Sequence, residues 1–109
     1  MDPQLPPRNF SDLLLEHRRE LDSIDSESVS LLAARFAITR RIGALKAAHG
    51  VAAADPAREQ AQLERLLDLS DGEGLPTELT RTVFETAFRF VRAHHRAQAG
   101  STDERGVDG

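Results

Sequence analysis

Four cations and two acids have the types and spacing to hold a small anionic ligand. They are Arg18, Arg35, Lys46 and Arg58, with Asp55 and Glu59 beside the last. Arg35 and Lys46 are eleven residues apart. At about 100° per helical residue, that separation is three turns plus about 20°, so both side chains leave one face. The same stretch carries Ile38, Ile42 and Leu45. Arg18 precedes Arg35 by seventeen residues, which leaves it about 100° out of phase. One helix therefore cannot aim all three cations at one nearby point. In a two-fold dimer, Arg18 of one protomer could reach a pocket lined by Arg35 and Lys46 of its partner. Taken singly, each cation is better explained as a snorkelling or surface side chain. Composition adds one pointer. The chain writes its cations as 13 Arg and a single Lys, Lys46, and an ammonium is a point donor where a guanidinium is a planar fork.

The stretch ADPAREQAQLERL, residues 54–66, holds the remaining polar candidates. Asp55 suits a helix N-cap and Pro56 the first helical position, while Glu59 complements the positive end of the helix dipole. Arg58 opposes that end, an arrangement costing a few tenths of a kcal/mol unless it holds an anion. A pocket gathering Arg18, Arg35, Lys46 and Arg58 would take a dianion, and Glu59 beside them suits a ligand hydroxyl.

These side chains need helices to position them. No alternating run and no Asn-Gly turn signals a strand. The pattern predicts an all-α chain of three helices. The first spans about Ser11 to Ala48, capped by Ser11 or Asp12 and ended by Gly50. Its Leu14, Leu21, Ile24, Leu31, Leu32, Ile38, Ile42 and Leu45 recur at helical spacing. Ser26, Ser28 and Ser30 weaken its middle. The second spans Pro56 to about Leu69, stopped by the S-D-G-E-G run. The third spans about Thr77 to Ala99, with Leu79, Val83, Ala87, Phe88, Phe90 and Val91 on its apolar side. The proline-rich residues 1–8 and the GSTDERGVDG tail, residues 100–109, have disordered composition. The helical domain is therefore expected over 9–99.

A first helix of about 38 residues would reach about 57 Å, against a diameter of roughly 35 Å for a compact domain of this size. The two shorter helices cannot cover it. A homodimer in which the long helices pack on each other resolves the mismatch, and so would a break near Ser26–Ser30 giving a four-helix bundle.

Composition excludes several classes of function. With no cysteine there is neither a disulfide scaffold nor a thiolate metal site. The four histidines form no zinc motif, so no metal and no cofactor is expected. A net charge of −4, with cations dispersed among acids, argues against nucleic acid. No apolar segment approaches the roughly 20 residues of a membrane span, and no secretory signal is visible at the start. A cytoplasmic protein is the expectation.

Order and spacing together resemble one family, the all-helical (type II) class of chorismate mutase. RRELDSID resembles the start of its first helix. LLAARFAITRRIGALK resembles its L-L-x-x-R…I-x-x-x-K centre, and DPAREQAQLERL its D-x-x-R-E…L-E-R-L second helix. The resemblance runs without a gap from about His17 to Ala97. It implies an intertwined homodimer that rearranges chorismate to prephenate, in aromatic amino acid or related shikimate-derived metabolism. It also implies residue roles. Arg18 would cross into the partner's pocket to bind a carboxylate, Arg35 would be the main carboxylate arginine, and Arg58 would stand near the ring carboxylate. Lys46 would donate to the ether oxygen and a carboxylate. Asp55 and Glu59 would engage the ring hydroxyl.

Two positions depart from the pattern. Val91 falls where the enzymes commonly carry a small hydroxyl side chain, and His95 where a Gln or Glu donates to the ether oxygen. They are four residues apart and share a face. Histidine donates one hydrogen bond when neutral and two when charged, so His95 could replace Gln with pH-dependent strength. It could equally decorate a helix end with His94. Lys46, Arg35, Glu59 and His95 are the catalytic candidates. The binding set is those four with Arg18, Asp55, Arg58 and Val91. Isochorismate pyruvate-lyase and 4-amino-4-deoxychorismate mutase activities on the same fold are neighbouring readings. A non-catalytic helical dimer acting as a regulatory module is the reading of another class.

Overall fold

The computed structural model describes the backbone of residues 9–108 and the side chains of residues 9–98. Three helices account for nearly all of it: α1 (Phe10–Ala48), α2 (Pro56–Glu73) and α3 (Thr77–Asp108). The described residues contain no strand, so the all-α class expected from periodicity is observed. None of these helices is long and apolar enough to cross a membrane.

Local chemistry sets the helix bounds, and it differs from expectation in several places. Asn9, not Ser11 or Asp12, caps α1: its Oδ1 accepts the Asp12 N–H at 2.9 Å. Ser26 and Ser28 do not break the helix. Their hydroxyls donate to the carbonyls of Asp22 and Ile24, one turn back, at 3.0 and 2.9 Å, a back-bond that bends a helix more readily than it ends one. Gly50 stops α1 as expected, at a φ of 65°.

α2 runs past its expected end near Leu69. Gly72 stays helical, and Gly74 takes the left-handed conformation (φ 70°, ψ 23°). Its N–H and that of Leu75 donate back to Asp71 and Ser70, so two of the last four carbonyls are satisfied. α3 likewise continues to Asp108, beyond the expected end near Ala99. No proline follows Pro76 to interrupt its ladder. Residues 1–8 lie outside the described residues.

The chain divides into a unit ending at Arg35 and a unit beginning at Phe36. The first is the N-terminal stretch of α1, where nearly every described residue is exposed, apolar ones included. In the second, α2 and α3 pack on each other, with Leu63 and Phe88 buried. The turn joining them is tied by a buried hydroxyl pair. Ser70 Oγ and Thr80 Oγ1 lie 2.5 Å apart, and Ser70 Oγ also donates to the Leu75 carbonyl at 2.9 Å.

Candidate active site

The second unit assembles most of the candidate polar groups. Lys46 ends α1 in its last turn, where a cation meets the negative end of the helix dipole. Its carbonyl accepts the Val51 N–H at 2.9 Å, folding the chain back over it. Its half-buried ammonium lies 3.5 Å from the Ala53 carbonyl. The loop from α1 to α2 thereby holds Lys46 beside the start of α2.

At that start Asp55 is the N-cap, accepting the Arg58 N–H on Oδ1 at 3.1 Å. The Asp55 carbonyl accepts the Glu59 N–H, also at 3.1 Å. Asp55, Arg58 and Glu59 thus occupy one turn, as ADPARE predicts. Asp55 and Arg58 are exposed and Glu59 half-buried. Among the described residues Glu59 pairs neither with Lys46 nor with Arg58. Its Oε1 accepts a hydrogen bond from Arg92 Nη1 on α3.

Sequence reading missed Arg92, since periodicity carries no information on a partner 33 positions away. A weak signal existed. Glu85, Phe88, Arg89 and Arg92 recur at three, four and seven, and these four line an open cleft of about 390 Å³ with Glu59 and Leu63 opposite.

His95 is buried, 8% exposed. Its Nε2 donates to the Thr39 carbonyl of α1 at 2.7 Å. Gln98 does the same to the Arg40 carbonyl at 3.1 Å, and the His94 ring packs on Phe36 at 5.3 Å between centroids. This approach of α3 to α1 depends on Gly43: a Cβ there would overlap the His95 ring and the Gln98 side chain. His95 is therefore a helix-to-helix tie through Nε2, and Nδ1 is the nitrogen left for a ligand. Val91, one turn earlier, is half-buried.

Arg18 and Arg35 belong to the first unit. Arg18 is exposed. Arg35 is half-buried, and loss of water around its guanidinium pulls its pKa below the ordinary arginine value. An arriving carboxylate would act in the opposite direction. Among the described residues no cluster of His, Asp or Glu is arranged to hold a metal ion.

A family model described as chorismate mutase type II matches residues 17–96. The chain belongs to that family. The matched interval contains every candidate from Arg18 to His95. The chain is also similar to the T-protein of Haemophilus influenzae, at 31% identity over 84 residues. That alignment covers 77% of this chain and 22% of the T-protein, so the chain spans under a quarter of that relative's length.

Proposed function

We propose that this chain is a chorismate mutase, converting chorismate to prephenate as a homodimer with two shared sites. One observation carries the reading: the family match over 17–96 encloses Arg18, Arg35, Lys46, Asp55, Arg58 and Glu59. All six are of the residue type that the family's chemistry uses, and the last four stand in or beside one loop and helix start.

The reaction is a unimolecular Claisen rearrangement. The ether C–O bond breaks while a C–C bond forms through a chair-like transition state, with no external nucleophile and no proton transfer. The protein has to hold the enolpyruvyl group over the ring, a conformer the free substrate rarely adopts. Arg18 of the partner subunit, Arg35 and Arg58 hold the two carboxylates, fixing that shape. The ether oxygen gains negative charge as its bond breaks, so a fixed donor there stabilises the transition state more than the substrate. Lys46 supplies that donor. With Nε2 engaged at Thr39, His95 contributes at the ether oxygen only as imidazolium, through Nδ1. Glu59 accepts from the ring hydroxyl, and Asp55, whose Oδ1 already caps α2, sets the helix start that presents it.

The first unit supports the dimer. Leu21, Ile24, Val29 and Leu31 are each more than half exposed on one helix, a run of apolar surface that a second copy would cover. The deciding experiment incubates purified protein with chorismate, following its absorbance and identifying the product. Prephenate is expected. Pyruvate release from isochorismate would place the chain among the lyases. Absence of turnover, with no protection from unfolding by a bicyclic transition-state mimic, would leave a non-catalytic dimer.

A further inference from the structure

We propose that Arg92 is a positioning residue: it holds the Glu59 carboxylate in the orientation that receives the ring hydroxyl. This rests on the chorismate mutase reading of the site.

The two side chains come from different helices and line the same cleft between α2 and α3. The contact is single, Arg92 Nη1 to Glu59 Oε1, which leaves Oε2 for a ligand. Glu59 turns about three side-chain bonds, so an unrestrained carboxylate would lose rotamer freedom whenever substrate bound. Arg92 imposes that order before substrate arrives, and its charge strengthens the hydrogen bond that does so. Stability gives the pair a poor reason to exist. Arg92 is 39% and Glu59 27% exposed, so water still reaches the pair and reduces what it contributes to folding.

The ring hydroxyl takes no part in the bonds that break and form. A hydrogen bond to it is equally present in substrate and transition state, so it acts on KM rather than on kcat. Removing Arg92 is expected to follow the same pattern. Because the contact is monodentate, a lysine can reproduce it, unlike at a bidentate carboxylate clamp.

The test is steady-state kinetics on full-length wild type, R92A, R92K, E59A and the R92A/E59A double variant. R96A, an exposed arginine on the same helix, is the control, and thermal unfolding is recorded for each protein. R92A is expected to raise KM by roughly tenfold with kcat within about threefold, R92K to recover most of the loss, and R96A to match wild type. In the E59A background, R92A should add less than about twofold, since no carboxylate remains to hold. An unchanged KM in R92A overturns the assignment, as does a loss undiminished in the E59A background. Should R92A fail to fold, R92Q takes its place, and a KM within twofold of wild type in R92Q is equally fatal. A wild-type protein that leaves chorismate untouched sinks the activity and Arg92's role together. An active wild type with an indifferent R92A sinks only the latter.

Discussion

At the residue scale the chemistry turns on which donors sit where charge develops. Lys46 is the one ammonium in a chain of arginines, and its headgroup is held over the loop that leads to Asp55. If Lys46 is the point donor at the ether oxygen, replacing it by a methyl group forfeits stabilisation of the transition state. K46A is therefore expected to lower kcat by about 10² to 10³. R35A should cost a comparable factor, expressed in kcat/KM, because a carboxylate clamp acts on substrate as well as on the transition state. Circular dichroism and solution mass are expected to match wild type in both. Neither side chain is buried in a core, so turnover lost through unfolding would show in those two measurements. Near-normal turnover in either variant removes that residue from the site.

At the element scale, the three helices and the local cluster at the start of α2 were legible in the chain, and the differences have physical causes. Helical periodicity reports which faces are apolar, so it found α1, α2 and α3. It does not report how a terminus is satisfied. Asn9 out-competed Ser11 because its side chain reaches the free Asp12 N–H. Gly72 was no stop because only Gly74 turns left-handed. The serines at 26 and 28 are poor helix formers by propensity, yet their hydroxyls are absorbed by carbonyls of the same helix. The N-cap cluster of Asp55, Arg58 and Glu59 was readable because its geometry is local. The Arg92 partner of Glu59 and the Thr39 partner of His95 were not, because both pairings join helices far apart in sequence. Gly43 shows how such pairings are enforced. Alanine there gains helix propensity of roughly 1 kcal/mol, but its methyl meets the His95 ring and the end of Gln98. Gln98 can swing aside. The buried imidazole is pinned to Thr39 and cannot. Overpacking costs about 1–3 kcal/mol, so after the propensity gain G43A is expected to be destabilised by up to about 2 kcal/mol, read as a lower denaturant midpoint at unchanged slope. A midpoint at or above wild type would mean that α3 does not approach α1 closely at this position.

For the whole molecule, the question is whether a site needs two chains. Arg18 lies on the exposed first unit, and helical phase sets it about 100° away from Arg35. If a partner supplies it, R18A and R35A are each nearly inactive alone, for different reasons. Mixed and allowed to exchange subunits at equal concentration, they form heterodimers. In each heterodimer one site receives Arg35 from the R18A chain and Arg18 from the R35A chain, so it is intact, while its twin lacks both. With random exchange about half the dimers are mixed and one of their two sites works, so recovered activity should be about a quarter of wild type. Recovery should scale with the time allowed for exchange and vanish if the chains are cross-linked before mixing. Were Arg18 to serve the pocket of its own chain, no mixture could restore a complete site, and activity would stay at the level of the separate variants. The same logic ties activity to the apolar stretch around Leu21 and Ile24: if that face joins two chains and Arg18 is borrowed across it, a substitution there that separates them must also abolish turnover.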